Sequence, residues 1–352
     1  MKKLKINAQA LLAALSRAPY IAKDKILSMA LLELFDGKVT LTSMDHSATM
    51  IQHVDYDSGN INPVALDIVL LSGVLQNMTG RITLNQKDNK ISLTSGKRRF
   101  NIPCIPGEHF PSLPDLTIKP FKANMSDLLN GLRHVFYAAG KHDVRLFLNG
   151  ICLQRDNMVA TDGHRIAVYP FECDMPDDQG VIIPRDSVQL IQKHVRPDCS
   201  AHLIYTNNSS NVNMLAFKSS SFQLYCKLID LKYPEWRSKT PNCNEQEHHI
   251  SIDKPEMQAA LQRLSLFEGL FDISKTSTGI SLSSKDAEDD LHAEVESNED
   301  FTVSMSNRYF SDALSLCGDD DKITLHGSGP YQIWMLTIKG KPETHYMLPF
   351  KR

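Results

Sequence analysis

The sequence lacks any stretch that is apolar enough to cross a membrane. Its longest apolar run is Ala10–Leu15, whereas a membrane-spanning helix needs about 18 consecutive apolar residues. The basic segment Met1–Lys5 is similar to the start of a signal peptide, but Asn7 and Gln9 interrupt the apolar segment that should follow it. This region is therefore predicted to form an amphipathic helix, and no membrane partner is expected.

Cysteine is present in a number and spacing that argue against a disulfide framework. The seven cysteines are scattered, and none forms a Cys-x-x-Cys pair. This pattern favours reduced thiols in a cytoplasmic protein and argues against a zinc ribbon. His248 and His249 have no matching ligands elsewhere, so they are predicted to be surface residues of a linker. No metal site is expected.

Motifs of nucleotide-binding and hydrolytic enzymes are also missing. The sequence contains no Gly-x-x-x-x-Gly-Lys-Ser/Thr loop, no dinucleotide fingerprint and no Gly-x-Ser-x-Gly elbow. No cofactor is therefore expected. The chain also lacks an excess of positive charge, since 38 Lys and Arg residues against 41 Asp and Glu residues give a net charge of −3. Any contact with nucleic acid must then come from a local basic surface.

The chain does contain a weak internal repeat with a period of about 120 residues. Each repeat opens with a helical pattern, at 6–15, 125–132 and 251–261. In the third repeat, Asp253 is predicted to cap the helix and Pro255 to lie in its first turn. A strand pair and a second helix follow, and alternating strands end the repeat. The second helices are predicted at Pro63–Leu75, Pro184–His194 and Asn307–Cys317.

Two helices with several antiparallel strands in each repeat indicate an α+β fold, in which both helices cover one face of a sheet. We expect three tandem domains of this kind, at residues 1–119, 120–246 and 247–352. In the middle domain, the strands of the first pair are predicted at Arg145–Gln154 and Met158–Val168.

The most suggestive short motif is Thr161–Arg165, with the sequence Thr-Asp-Gly-His-Arg. One interpretation makes His164 a general base that Asp162 orients, as in a hydrolase-type enzyme. No nucleophile or metal ligand is spaced to complete such a site. Because Asp-Gly is a strong turn signal, the favoured interpretation is a tight bend that points His164 and Arg165 outward. No catalytic residue is predicted.

Basic residues recur near the ends of the predicted helices. Arg17 follows the first helix, and Lys193 and Arg196 close the second helix of the middle repeat. The helix dipole also attracts cations to these positions. Their recurrence on matching elements nevertheless suggests a shared positive face.

Four segments resemble the bacterial β sliding clamp family, the β subunit of DNA polymerase III. They are Asp143–Gly150, Ala160–Ala167, Tyr233-Pro234 and the chain end Met347–Arg352. The resemblance covers the whole chain with the repeat in register. It implies a head-to-tail homodimeric ring of six similar domains, with helices lining the hole and sheets outside. Such a ring encircles double-stranded DNA without reading its sequence and tethers a DNA polymerase and a clamp loader.

The resemblance also implies three sets of functional residues. The partner-peptide groove would comprise Leu148, Thr161, Gly163, His164, Arg165, Pro234, Phe267, Tyr309, Leu348, Pro349 and Phe350. The DNA-facing set would comprise Lys23, Lys25, His142, Arg145 and Lys193. Phe100 and Leu264 would lie in the dimer interface.

The chain departs from the family pattern beside the expected groove. Ser238 and Lys239 stand where many members have arginine and an aliphatic residue, and Arg352 replaces a closing aliphatic residue. Lys239 and Arg352 should favour acidic peptides. The sequence thus predicts a non-catalytic processivity factor. The alternatives are a hydrolase-type enzyme that uses Asp162 and His164, and a repeat scaffold that binds no nucleic acid.

Overall fold

A computed structural model describes residues 2–22, 24–176, 178–206, 209 and 211–351 of the chain. The predicted DNA-facing residue Lys23 and the terminal Arg352 lie outside these described residues. Within the described ranges, no helix combines the length and the hydropathy that a bilayer crossing requires.

The first part of the chain alternates strands with two eight-residue helices. Asn7 accepts a hydrogen bond from the Ala10 N–H (3.1 Å) and so caps the first helix, while Asp67 caps the second through the Leu70 N–H (2.7 Å). The elements are β1 (Lys2–Asn7), α1 (Ala8–Leu15), β2 (Met29–Phe35), β3 (Lys38–Met44), β4 (Ala48–Val54), β5 (Tyr56–Gly59), β6 (Val64–Asp67), α2 (Ile68–Leu75), β7 (Arg81–Lys87), β8 (Lys90–Ser95) and β9 (Arg98–Pro106).

The middle part repeats this order of elements with one strand fewer between its two helices. The elements are β10 (Leu116–Pro120), α3 (Met125–Val135), β11 (Gly150–Leu153), β12 (Asn157–Thr161), β13 (Arg165–Pro170), β14 (Val181–Pro184), α4 (Arg185–His194), β15 (Ser200–Thr206), β16 (Met214–Lys218) and β17 (Phe222–Lys227).

The last part begins and ends like the first. Its elements are β18 (His248–Asp253), α5 (Lys254–Leu264), β19 (Leu270–Lys275), β20 (Gly279–Ser284), β21 (Ala287–His292), β22 (Glu294–Ser297), β23 (Thr302–Ser306), α6 (Asn307–Leu314), β24 (Lys322–Gly327), β25 (Trp334–Ile338) and β26 (Thr344–Met347). Pro255 lies in the first turn of α5, as predicted, but the side chain of Asp253 makes no capping hydrogen bond.

The contact pattern divides the chain into two compact units. Unit 1 comprises residues 1–125 and 189–228, and unit 2 comprises residues 126–188 and 229–352. Each unit takes in part of the middle repeat, and the boundaries of the three predicted domains stay a prediction.

Unit 1 contains a continuous antiparallel sheet of 13 strands, in the order β10-β15-β16-β17-β4-β3-β2-β6-β9-β8-β7-β1-β5. At its β9-β8-β7-β1 end, alternate residues point into a core that also receives α1 and α2. This core includes Leu11, Leu15, Leu71 and Leu75 from the helices, and Leu4, Leu84 and Leu93 from the strands. The helices therefore cover one face of this part of the sheet, as predicted.

Unit 2 contains a nine-stranded antiparallel sheet, in the order β14-β11-β12-β13-β26-β25-β24-β18-β22. A second sheet has the order β21-β20-β19-β23. The helices α5 and α6 share one core with strands of both sheets, through residues such as Leu261, Phe310, Phe271 and Ile323. The α+β class is confirmed.

Several predicted boundaries in these units are wrong for local reasons. The predicted helix Pro63–Leu75 begins only at Ile68, because Asp67 caps it and the preceding residues form β6. The predicted strand Arg145–Gln154 begins at Gly150, after a 3-10 turn at Leu146–Leu148.

The predicted position of the histidine pair is also wrong. His248 lies on β18 and is only 4% exposed, because its ring packs against Phe301 and Trp334 and its Nδ1 bonds to Ser297 Oγ (2.7 Å). Sequence spacing does not reveal this burial, since the contacting rings come from distant segments.

A group of buried polar side chains packs beside β26 in unit 2. His345 is fully buried and its Nδ1 lies 2.8 Å from the Tyr137 hydroxyl. His134 Nε2 lies 3.5 Å from the carboxylate of the buried Glu343. Burial, with a smaller electrostatic contribution from the neighbouring His134, lowers the pKa of His345 to about 3.

The low pKa of His345 predicts a loss of stability in mild acid. The unfolded chain takes up a proton on this residue near pH 6.5, whereas the folded chain does not until about pH 3. The free energy of unfolding should therefore fall by about 1.4 kcal/mol for each pH unit below about 6.5. Chemical denaturation at about pH 7.5 and about pH 5.5 measures this loss.

His345→Gln should lose less stability over the same interval, while replacement of the exposed His109 by Gln should keep the full pH dependence. An unchanged pH dependence in His345→Gln would refute the assignment.

Candidate functional site

The motif at 161–165 forms a tight turn between β12 and β13. Thr161 Oγ1 donates to the Arg165 carbonyl (2.6 Å) and accepts from the Gly163 N–H (3.0 Å). Asp162 Oδ1 accepts from the N–H groups of His164 (3.0 Å) and Arg165 (3.2 Å). Gly163 has a φ of +91°, a conformation that favours glycine. The predicted bend is therefore present, and it splits the predicted strand Met158–Val168.

His164 points outward from this turn, as predicted, but Arg165 does not. The Arg165 side chain is 4% exposed and its guanidinium lies between the rings of Tyr137 (4.9 Å) and Tyr309 (4.6 Å). It donates to Asp162 Oδ2 (2.9 Å), Asp312 Oδ2 (2.6 Å) and the Tyr137 carbonyl (2.8 Å). Two carboxylates and two aromatic faces thus compensate a buried positive charge.

The turn opens onto a largely apolar hollow of about 480 Å³ within unit 2. The pairing of β13 with β26 forms its floor, with Arg165 opposite Met347 and Ile166 opposite Tyr346. The predicted groove residues that line it are Leu148, Thr161, Gly163, His164, Arg165, Pro234 and Leu348. Such a hollow has the size and composition of a site for a small ligand or a few peptide side chains.

The chain end continues from this hollow toward α6. The Leu348 N–H donates to the His164 carbonyl (2.9 Å), and the Phe350 N–H donates to the Ser304 carbonyl (2.9 Å). The ring of Phe350 lies 6.3 Å from that of Tyr309, which in turn stacks on His164 at 6.2 Å. Tyr309 and Phe350 therefore extend the site beside the hollow.

The other predicted groove residues are placed differently. Pro349 lies between Leu348 and Phe350 but does not line the hollow, and it is half-buried. Phe267 follows α5, is 53% exposed and does not line the hollow either.

Arg145, which the sequence assigns to the DNA-facing set, lines this hollow. Its guanidinium makes a bidentate ion pair with Asp143 (3.0 and 2.9 Å) and donates to the Asp162 carbonyl (3.3 Å). The hydrogen bond from Arg145 lowers the pKa of Asp143 to about 2. Arg145 therefore lines the hollow with its charge paired, and its assignment to the DNA-facing set stays a prediction.

The other predicted DNA-facing residues that the structure describes are exposed. Lys25 lies in the segment between α1 and β2, His142 adopts a φ of +57°, and Lys193 is in the last turn of α4. Lys193 lines a hollow of about 300 Å³ in unit 1 together with Arg17, Arg196 and the Ser219–Ser221 turn. The three cations that the sequence places at helix ends therefore converge.

The two predicted interface residues differ in exposure. Phe100 is 40% exposed on β9, whereas Leu264 is 1% exposed in the core of unit 2. Leu264 continues the inward stripe of Met257 and Leu261 on α5, so its assignment to an interface is wrong. Leu266, just beyond the helix, is 83% exposed.

The geometry gives no support to the hydrolase-type alternative. Both Asp162 oxygens are engaged with the turn N–H groups and with Arg165, so the carboxylate does not orient the His164 ring. In the part of the chain that the structure describes, no group of three or more His, Cys, Asp or Glu side chains could hold a metal ion.

A comparison with known protein families finds a match for the middle of the chain. Residues 123–235 match the family described as DNA polymerase III beta subunit, central domain. This span contains the turn at 161–165 and most of the segments around the hollow. This segment belongs to the bacterial β sliding clamp family.

Curated relatives agree with this assignment. The beta sliding clamp of Staphylococcus aureus is 26% identical over 282 residues, which cover 74% of this chain and 71% of the relative. That of Vibrio cholerae is 25% identical over 255 residues, which cover 68% of this chain and 67% of the relative.

Solved structures share the fold over the full length. A DNA polymerase sliding clamp from Pseudomonas aeruginosa aligns with a TM-score of 0.90 at 18% identity, covering all of both chains. One from Bacillus subtilis aligns with a TM-score of 0.86 at 19% identity, covering 100% of this chain and 99% of that chain.

Sequence reasoning missed several residues of the hollow. These are Phe147, Ile166, Glu235, Trp236, Ile333, Tyr346 and Met347, besides Arg145, while Lys239 lines the hollow that it was expected to flank. Those next to a recognised motif could have been found from the motif itself, for example Ile166 and Trp236. Ile333 has no local signal, because only the folding of unit 2 brings it to the hollow.

The burial of Arg165 predicts a large effect of its removal on stability. Arg165→Ala leaves Asp162, Asp312 and the Tyr137 carbonyl without their partner, and breaking such a buried pair costs about 3 kcal/mol. Arg308 approaches the same Asp312 at 4.0 Å but is 79% exposed, so Arg308→Ala should cost less than about 1 kcal/mol. Chemical denaturation of both variants measures the difference, and equal losses would contradict this account of Arg165.

Proposed function

We propose that this chain is a DNA sliding clamp, a non-catalytic processivity factor that encircles duplex DNA and tethers a DNA polymerase. The observation that carries the proposal is the hollow at the β13–β26 junction, which forms on the residues that carry the family resemblance. A cytoplasmic location accompanies this function. Duplex DNA, a polymerase, a clamp loader and a second copy of the chain are the proposed partners.

The hollow suits short peptides that present apolar anchors. Its lining combines apolar side chains such as Leu148, Trp236 and Leu348 with the exposed polar groups of His164 and Lys239. Apolar anchors held in pockets supply most of the binding energy in such interfaces, while polar neighbours select the partner. The exposed Lys239 favours an acidic residue beside the anchors, an effect that salt should weaken.

The cations around Lys193 support sequence-independent contact with DNA. Arg17, Lys193 and Arg196 surround His194, and their charges add to burial in lowering the pKa of this residue to about 4. A local positive potential of this kind attracts phosphates without reading bases. Lys25, Lys193 and His142 remain the proposed DNA-facing residues, together with Lys23.

Two strand edges support head-to-tail dimerisation. The pairing of β9 with β6 is confined to Cys104–Pro106, which leaves the Arg98–Phe100 part of β9 without a second neighbouring strand among the described residues. The edge strand β21 carries Glu288, Asp289 and Asp290. A basic edge and an acidic edge of two copies can pair as strands with complementary charge. Phe100 and Leu266 are the exposed apolar residues proposed to contribute there.

The peptide proposal predicts that a change at the chain end abolishes partner binding. Leu348 is 36% exposed, so Leu348→Asp should leave the fold intact while removing an anchor contact. The affinity for a labelled peptide derived from a clamp-binding DNA polymerase should fall at least about tenfold. Deletion of residues 348–352 should have the same effect, and fluorescence anisotropy measures both.

The matched control is Leu70→Asp, which changes a similarly exposed leucine on α2 in unit 1 (45% exposed). It should bind the peptide as the unchanged protein does. Unaltered affinity in a folded Leu348→Asp variant would remove the groove from the proposed function.

The ring proposal predicts topological retention. After loading by a clamp loader, the protein should stay on nicked circular DNA at salt concentrations that dissociate electrostatic binders, and it should leave when the circle is cut. Gel filtration of the protein–DNA complex before and after linearisation measures retention. Equal retention on circular and linear DNA would exclude encirclement.

A further inference from the structure

A second cationic surface lies in unit 1, on strands that neither the groove nor the helix-end cations use. Its β9 end, with Arg98 and Arg99, also belongs to the proposed dimer edge. A broad, open hollow of about 1380 Å³ covers one face of β1, β7, β8 and β9. We call its cations the cationic face: Lys3, Lys5, Lys87, Lys90, Lys97, Arg98 and Arg99.

Apart from Arg98, which donates to the Asn77 carbonyl (2.9 Å) just beyond α2, this face points away from the helices of unit 1. Alternate residues of the same strands, such as Leu4, Leu84 and Leu93, are buried in the core with α1 and α2. Side chains of neighbouring residues on a strand point to opposite sides of the sheet. Lys3 and Lys5, on either side of Leu4, therefore project from the opposite side.

The charge of the cationic face is not compensated within the chain. Its residues are all exposed, and none of them takes part in an ion pair among the described residues. Asp88 is the single acidic residue among the described residues that line the hollow. Because like charges repel one another, such a concentration is unfavourable in the isolated protein. An anionic partner would relieve this repulsion.

The register of the strands sets the cations out as a grid. One row runs from Lys5 through Thr83 and Thr94 to Arg99, which spans three strand spacings or about 14 Å. Lys3 lies two residues from Lys5, a separation of about 6.8 Å along the strand. This is close to twice the rise of about 3.4 Å between successive phosphates of one DNA strand.

The rest of the lining favours phosphates over other anions. The described lining includes no aromatic or aliphatic side chain. Uncharged polar side chains fill the centre of the grid, namely Thr83, Asn85, Asn89, Ser92, Thr94 and Asn101. Unstacked bases need aromatic platforms, and specific peptides need apolar anchors. A charged backbone needs only spaced cations and hydrogen-bond donors.

We propose that the cationic face binds the sugar–phosphate backbone of duplex DNA, as a second contact on the side of the sheet that faces away from α1 and α2. Its position outside the ring hole rests on the proposed function, because only in that function do the helices line the hole. The contact itself rests on the charge and geometry of unit 1. It would hold a segment of DNA that does not pass through the ring.

The test is the affinity of the unloaded, full-length protein for a short, labelled linear duplex of mixed sequence. The variant Lys5→Glu, Lys87→Glu, Lys90→Glu reverses three charges of the face and leaves the Arg98–Phe100 segment of the proposed dimer edge unchanged. Its affinity should fall at least about tenfold, and the slope of log affinity against log salt should decrease by about 3. Circular dichroism checks that both proteins are folded.

The matched control carries the same change of net charge at exposed lysines outside the face. It is Lys227→Glu, Lys232→Glu, Lys339→Glu. If the two variants lose affinity equally, the effect is one of net charge and the proposal is wrong. It is also wrong if a labelled polyglutamate peptide binds the unchanged protein more tightly than the duplex does at equal salt, because the occupant is then an acidic peptide.

This measurement separates the two proposals. It uses linear DNA and no loader, so a failure of retention on circular DNA would leave its result standing. Conversely, a ring that is retained on circles while the face variant binds linear duplex normally would overturn only the second contact.

Discussion

The guanidinium of Arg165 is the interaction on which the geometry of the groove depends. Desolvating a lone cation is very costly, so this side chain stays buried only because Asp162, Asp312 and two tyrosine rings surround it. These partners come from the β12–β13 turn, from α6 and from the 3-10 turn Phe136–Ala138 that follows α3. One side chain therefore fixes three segments whose sequence positions are far apart.

In this arrangement, the same contacts hold the groove and the fold of unit 2. The turn held by Arg165 presents the His164 carbonyl to the Leu348 N–H, and β13 pairs with β26 immediately beside it. The chain end is thus anchored by backbone hydrogen bonds, while the Leu348 side chain remains partly exposed. An apolar segment that is fixed by its backbone offers a preorganised surface, which lowers the entropic cost of binding.

The sequence predicted this site in part, and the division between success and failure has a physical basis. Local signals predicted the turn at Asp162-Gly163 and the repeated order of helices and strands. The association of the chain end with the 161–165 motif came from the family resemblance. The inward position of Arg165 was not predictable, because its partner Asp312 lies on α6 and no local pattern connects them. Leu264 was misplaced for the same reason. A charge or an apolar side chain can be recognised locally, but the direction in which it points depends on partners from distant segments.

The distribution of charge explains how a chain with a net charge of −3 can contact DNA phosphates. Acidic residues concentrate on β21 and β22, while unit 1 carries both the cluster around Lys193 and the cationic face. Most of these cations are exposed, so each contact with a phosphate is weak and exchanges readily. Weak contacts are what a sliding protein requires, since strong or base-specific binding would stop its movement. If topology supplies retention, the electrostatic surface needs only to orient the duplex, and the apolar groove is left as the place where specific binding occurs.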